Sequence, residues 1–288
     1  MVRNEGEKLR RVVASAPGRA YFEVENPAAH NIEELADRRL ATAQHRRLRE
    51  VLEASGARVI NLKELAGHPN SVFVRDSGLV TPRGFIRLRM GLPTRRGEEE
   101  WMAGILESLG IPCAGAVEEP GTIEGGDVIL AGPVAFVGQS ERTNKSGVRQ
   151  ISRLLMRMDY EVRSLALPAP YLHIGGAMSA VGPKTILCCQ GLFPKGFFAG
   201  YDLVEIPPTD ATGANVIALG NGEVLAEKSS RAAARALGAA GIAVKLIDLS
   251  EFVKGRGGPT CLILPVERFD SQDEWAESRS REDKRGKK

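Results

Sequence analysis

Three short stretches of the chain carry residue types that could do chemistry. Lys254-Gly255-Arg256-Gly257-Gly258-Pro259-Thr260-Cys261 delivers a cysteine at the end of a run with almost no side-chain bulk. Glycine permits backbone conformations closed to other residues, so a small molecule could approach the main chain just ahead of Cys261. Arg256 stands beside it as a fixed positive charge, which favours the thiolate, the nucleophilic form. Gly121-Thr122-Ile123-Glu124-Gly125-Gly126-Asp127 sets two carboxylates around two glycines, and Tyr171-Leu172-His173-Ile174-Gly175-Gly176 sets a histidine against another glycine pair. A nucleophile, an acid/base and a carboxylate are the parts of a covalent hydrolytic site. Each has a plainer reading when taken alone. Cysteine is a common core hydrophobe, Asp127 could cap a turn while Glu124 is solvated, and a strand histidine is often structural. His30, His45 and His68 lie in polar or helical context and read as surface residues.

The elements that must position these groups recur along the chain. A pair of short apolar strands joined by a tight turn precedes an amphipathic helix and a further strand. One copy runs from Ser71 through the Pro82-Arg83-Gly84 turn to a helix from Glu98 to Leu109; another has Asp127-Val128-Ile129-Leu130, Val134-Ala135-Phe136-Val137 and a helix from Lys145 to Met158. The first copy opens on Val12-Val13-Ala14 and the fifth turns at Gly220-Asn221-Gly222, while the fourth, around Val181-Gly182-Pro183-Lys184, has little room for a helix. Cys261 is expected to begin the strand that follows the fifth unit. Five such units predict a closed, pseudo-symmetric α/β arrangement, because a lone unit cannot bury its apolar face. Doubly wound folds are the rival, but there single strands alternate with helices. In a closed array the glycine-flanked mouths of the units converge near the axis. Residues 1–269 are expected to form one catalytic domain, and 270–288 a charged, disordered tail.

Composition narrows the class. With 288 residues, 43% hydrophobic and 26% charged, the chain reads as a globular protein; a net charge of +3 gives no case for nucleic acid. No apolar run reaches membrane-spanning length and no signal-peptide core is present, so a cytoplasmic location is expected. Four cysteines without C-x-x-C spacing predict reduced thiols and no zinc site. Neither a dinucleotide fingerprint nor a phosphate loop occurs. Homo-oligomerisation is left open.

Two further stretches share the mouth position: Asn70-Ser71-Val72-Phe73-Val74-Arg75-Asp76 and Gly138-Gln139-Ser140-Glu141-Arg142-Thr143-Asn144. Asp76 supplies an anion, while Arg142 and Arg95 supply fixed cations. Carboxylates on one side and arginines on another suit a small molecule that is cationic at one end and carboxylate at the other, such as an amino acid with a guanidinium head. The plainer alternatives are a solvated helix start for Arg95 and Arg96 and a surface ion pair for Arg142.

Taken in order, Phe73-x-Arg75-Asp76, Glu124-Gly125-Gly126-Asp127, Ser140-Glu141-Arg142-Thr143-Asn144, Leu172-His173 and Gly255-Arg256-Gly257-Gly258-Pro259-Thr260-Cys261 resemble the motif series of the guanidino-group-modifying, or pentein, superfamily. The resemblance spans nearly the whole chain to Phe269 and is nearest to dimethylarginine dimethylaminohydrolases and arginine deiminases. It implies a five-bladed α/β propeller of ββαβ repeats. It also implies that Cys261 attacks the guanidinium carbon, that His173 protonates the leaving group and then activates water, and that Glu124 and Asp76 hold the guanidinium. Asn70, Phe73, Arg95, Arg142 and Arg256 are implied as substrate-binding residues, with no metal or organic cofactor.

Departures bear on the substrate. Arginine deiminases usually carry an aspartate where this chain has Gly175, and a helical insertion absent here; dimethylaminohydrolases tend to be acidic where this chain has Arg75 and Arg256. The missing carboxylate at Gly175 leaves room for an alkyl group and favours a dimethylaminohydrolase-like activity, with arginine deiminase close behind. Amidinotransferases and a non-enzymatic ribosome anti-association factor share the superfamily. The former are typically longer, and the latter lacks the Cys261, His173 and Glu124 set.

Overall fold

The computed structural model describes residues 1–208 and 212–270, so the tail expected from residue 270 lies, beyond Asp270, outside the described residues. Five three-stranded sheets follow one another along the chain. The first contains β1 (Leu9–Ser15) and β2 (Arg58–Leu62), joined through helix α1 (Arg38–Ala54). The second contains β3 (Leu79–Thr81), β4 (Gly84–Arg87) and β5 (Cys113–Ala116), with helix α2 (Glu98–Ser108); the third contains β6 (Val128–Ala131), β7 (Val134–Gln139) and β8 (Glu161–Ala166), with helix α3 (Lys145–Met156). The fourth consists of β9 (Met178–Gly182), β10 (Thr185–Cys189) and β11 (Asp202–Ile206), and the fifth of β12 (Val216–Gly220), β13 (Glu223–Glu227) and β14 (Ala243–Ile247), with helix α4 (Arg231–Ala239). The last strand, β15 (Leu264–Arg268), pairs antiparallel with β1 and completes the first sheet. In every sheet the central strand is antiparallel to one neighbour and parallel to the other, the pattern of a ββαβ propeller blade.

Local sequence explains the elements. Asp37 starts α1 by accepting the Leu40 N–H at 2.8 Å, and Asn144 starts α3 by accepting that of Gly147 at 2.8 Å. Along α1 the buried residues Ala41, His45, Leu48 and Leu52 recur every three or four positions and form the stripe that faces its sheet. His45 is therefore a core residue, contrary to the surface position expected for it. It is 3% exposed, its ring lies 6.3 Å from that of Phe252, and burial, with Arg49 nearby, lowers its pKa to about 4. In the fourth blade a loop takes the place of the helix, and Phe197 and Phe198 from it pack 5.3 Å from Phe136 of the third blade.

Before its first strand, each blade makes a tight turn. These turns span Val74–Ser77, Gly125–Asp127, Ile174–Ala177 and Pro259–Leu262, and in the fifth blade Asn215 N–H reaches back to Thr212 O at 2.9 Å. Cys261 consequently sits in such a turn rather than at the start of a strand as expected from the sequence, and Asp76 sits in another. The apolar runs of Val72-Phe73-Val74 and Leu262-Ile263 anchor the turns in the core instead of extending the sheets.

Candidate active site

His173 and Glu124 meet across two blades, with Nε2 of the ring 2.9 Å from Oε2 of the carboxylate. Glu124 is fully buried, which excludes the solvated reading. Its other oxygen accepts the N–H groups of Gly91 at 3.0 Å and Leu92 at 3.3 Å and lies 3.6 Å from Arg142 Nη1. Burial alone would raise a carboxyl pKa. Here the His173 hydrogen bond, Arg95 and Arg142 overcome it and hold Glu124 below its ordinary value. For His173 burial works against the charged ring, yet Asp76, Asp127 and Glu124 raise its pKa to about 9. The histidine is thus an imidazolium at neutral pH.

The glycine pair in Glu124-Gly125-Gly126-Asp127 follows from this crowding. A Cβ on Gly126 would stand 2.8 Å from both Asp76 Oδ1 and His173 Cγ, and one on Gly125 would stand 2.2 Å from the Arg75 carbonyl oxygen. Asp127 is a cap, as its plainer reading held, but it caps the next blade. Its Oδ1 accepts the Ile174 N–H at 3.0 Å and its Oδ2 the Ser140 hydroxyl at 2.6 Å. That fixes the turn from which His173 projects. Asp76 Oδ1 likewise accepts the Gly126 N–H at 3.1 Å and lies 3.9 Å from His173 Nδ1.

Arg95 is turned inward. Nη1 donates to Asp76 at 2.6 Å, Nε and Nη2 to Glu98 at 3.0 and 2.7 Å, and Nη2 also to the Phe73 carbonyl at 3.0 Å. The solvated helix start is excluded for Arg95, which is 2% exposed. Glu98, which the sequence reading passed over, is as deeply buried; burial, moderated by Arg95, pushes its pKa up to about 7. Asp76, Glu124 and His173 bring one ligand atom each within 4.8 Å of one another. The cation that already serves this set is the Arg95 guanidinium, 3.8 Å from Glu124 and hydrogen-bonded to Asp76, so the residues do not fit a resident metal.

His173, Gly175, Asn215, Arg256, Thr260 and Cys261 line one cavity of about 40 Å³. Cys261 keeps some surface there, yet burial and Asp76 push its thiol up to about 11, against the pull of a backbone hydrogen bond from Gly258, of Asn215 and of Arg75. At rest the sulfur is a neutral thiol. Arg256 stands at the mouth in the left-handed region (φ 61°) and donates to Asn31 Oδ1 at 3.2 Å and to the Pro170 carbonyl at 3.3 Å. Its neighbouring glycines make room for Phe73, whose ring would be 2.2 Å from a Cβ on Gly257. Phe73 therefore lies beneath the glycine-rich loop. Asn70 is one layer back as well, donating to the His30 carbonyl at 2.9 Å. Asn215 is the wall residue that the sequence reading missed, because its turn carries no charge. Its place directly before β12, matching Asp127 before β6, was the available signal.

Residues 22–266 match the family described as N,N dimethylarginine dimethylhydrolase, eukaryotic. A dimethylarginine dimethylaminohydrolase of Streptomyces coelicolor is 31% identical over 247 residues, covering 83% of this chain and 90% of the relative. A protein of Aeropyrum pernix without assigned activity is 35% identical over 231 residues, 78% of this chain and 84% of its own. Among solved structures, a cysteine-to-serine variant of the Pseudomonas aeruginosa dimethylarginine dimethylaminohydrolase in complex with citrulline superposes with a TM-score of 0.79 at 26% identity, covering 91% of this chain and all of that one.

Proposed function

Because the chain belongs to the dimethylarginine dimethylaminohydrolase family of pentein hydrolases, we propose that it hydrolyses the guanidino group of N-methylated arginine, releasing citrulline and an amine. The observation that carries this reading is that His173, 2.9 Å from the buried Glu124, lines the same cavity as Cys261. A guanidinium is resonance-stabilised and resists water, so a covalent route through sulfur divides the reaction into two easier steps. The arriving cation favours loss of the Cys261 proton to solvent, its resting pKa being high. The thiolate sulfur bonds to the guanidinium carbon. As the C–N bond breaks, the His173 imidazolium gives its proton to the leaving amine and becomes the base that takes a proton from the attacking water. Collapse of the second tetrahedral species breaks the S–C bond, returns the thiolate and leaves the ureido group of citrulline.

Asp76, Asp127 and Glu124 together keep His173 charged, and Glu124 and Asp76 are the carboxylates assigned to the guanidinium. Arg256 is placed at the amino-acid end because it lines the cavity mouth; Arg142, Arg95, Asn70 and Phe73 support the wall from behind. The reading treats residues 1–269 as one catalytic unit. No helix among the described residues is long and apolar enough to cross a membrane, and the free cysteines support a cytoplasmic setting.

Arg75 and Arg256, the positions that favour arginine deiminase, carry unequal weight. Arg75 is spent internally, donating to Glu5 at 2.7 Å and to the Gly125 and Val128 carbonyls at 3.2 and 2.6 Å. It holds turns together rather than competing for a cationic substrate. Purified protein supplied separately with L-arginine, mono- and dimethylated arginines, and an acceptor amine should form citrulline fastest from a methylated arginine. Absence of a ureido product from every substrate would sink the hydrolase reading.

A further inference from the structure

Three of the axial turns are stitched to the next blade by the same device, a side-chain oxygen that accepts a backbone N–H from the following turn. Asp76 accepts from Gly126 at 3.1 Å, Asp127 from Ile174 at 3.0 Å, and Asn215 from Thr260 at 2.9 Å. The first two are carboxylates whose next turns carry Glu124 and His173, both charged. The third is an amide, and its next turn carries the nucleophile. Once its oxygen is committed to the Thr260 N–H, the amide orientation is settled and its NH₂ must face the other way. Nδ2 lies 3.8 Å from Cys261 Sγ, a distance at which a sulfur acceptor is engaged. Asn215 is 3% exposed, and Gly258 leaves it no slack, since a Cβ there would stand 2.6 Å from the amide carbon.

We propose that Asn215 is a positioning residue for the nucleophile: it pins the turn through Thr260 and directs an N–H donor at the Cys261 sulfur, stabilising the thiolate on which the chemistry depends. A donor aimed at the charged form of a group favours that form. An aspartate would serve the stitch equally well but would set an anion against the thiolate. That is the physical reason for an amide at this junction alone among the three. The proposal rests on Cys261 being the reactive thiol of the proposed hydrolase.

The test needs no substrate, so its failure is separate from failure of the proposed activity. In a Cys113→Ser background, which removes an exposed thiol, the rate at which iodoacetamide alkylates Cys261 is measured across neutral to alkaline pH for Asn215→Asp and Asn215→Leu, with modification mapped by mass spectrometry. Asn215→Asp keeps the Thr260 acceptor and should melt close to the parent while alkylating at least about tenfold more slowly at each pH below the midpoint. Asn215→Leu, neutral and similar in size, should be slower by about tenfold as well, which separates loss of the donor from added charge. A structural role alone lowers the melting temperature of the leucine variant and leaves its alkylation rate, while it is folded, at the parental value. Parental alkylation by Asn215→Asp, or by a folded Asn215→Leu, overturns the proposal. If Asn215→Leu does not fold, the smaller neutral Asn215→Ala takes its place, and parental alkylation by it overturns the proposal.

Discussion

The two sides of the cavity are held in opposite ways. On the Glu124 side a fully buried carboxylate is surrounded by two backbone N–H groups, an imidazolium and two arginines. Its charge is fixed before any ligand arrives. On the Cys261 side a thiol with a raised pKa has one side-chain donor at 3.8 Å. Its charge is left open. The contrast teaches that pre-organisation is concentrated on the group that must not change ionisation early, and withheld from the group whose ionisation the substrate can trigger. A permanently charged thiolate would also be exposed to oxidation in the resting protein.

The strongest way to break this contrast is to remove the open side. Cys261→Ser should keep the fold and lose turnover by about a thousandfold or more, whereas Cys113→Ser should retain it, as steady-state citrulline formation will show. Comparable activity in the serine variant would defeat the covalent route. Removing the acid/base comes next. His173→Gly should slow turnover by about a hundredfold or more and allow an amidino adduct to collect on Cys261, visible by intact-mass spectrometry, because water attack lacks its base. If neither the adduct nor the slowing is found, His173 is structural.

Proton linkage sharpens the fixed side. His173 is raised from 6.5 to about 9 in the folded chain, so its contribution to stability is fully present below about 6.5 and is lost as pH rises through about 9. Glu124 is held low; its contribution is present above the ordinary carboxyl range and is lost as pH falls through its lowered value. The difference in urea midpoint between the parent and His173→Gln should therefore shrink from neutral pH to about pH 10. A difference that stays flat over that range would show that the pair is not charged as described. The smallest expected effect is at Gly175. A Cβ there would lie 3.1 Å from the Gly126 carbonyl oxygen, so Gly175→Asp is tight but accommodated by a small shift. It should move kcat/KM toward arginine over methylated arginine by roughly tenfold, since a carboxylate without its N–H partner is disfavoured. A parent enzyme that turns over arginine and excludes all methylated forms would reverse the ranking.

Much of the site was legible because glycines mark it. Glu124, His173 and Cys261 each stand next to small residues, and the structure shows why: the turns are so close that Gly126 and Gly257 have no space for a Cβ. What could not be read was the direction in which charged side chains point. Glu98-Glu99-Glu100 has the composition of a solvated first helical turn, yet Glu98 is turned inward, paired with Arg95 at 2.7 Å. Arg95 was legible as a cation of the site but not as one already engaged by Asp76. His45 was readable in principle, since its spacing from Ala41 and Leu48 lies on the apolar stripe of α1. The blades themselves were visible as hairpin and helix periods. The axial turns were not, because an apolar 3₁₀ turn and a short buried strand have the same composition.

The pairing of β15 with β1 sets a schedule for synthesis. Chains emerge from the ribosome N-terminus first, so β1 and β2 must wait as an incomplete blade until residues about 250 positions later have been made. Cys261 immediately precedes the strand that fills the gap. The nucleophile is thus delivered to its partners in the same event that shuts the ring, and a nascent chain with every other catalytic group in place has no reactive sulfur seated among them.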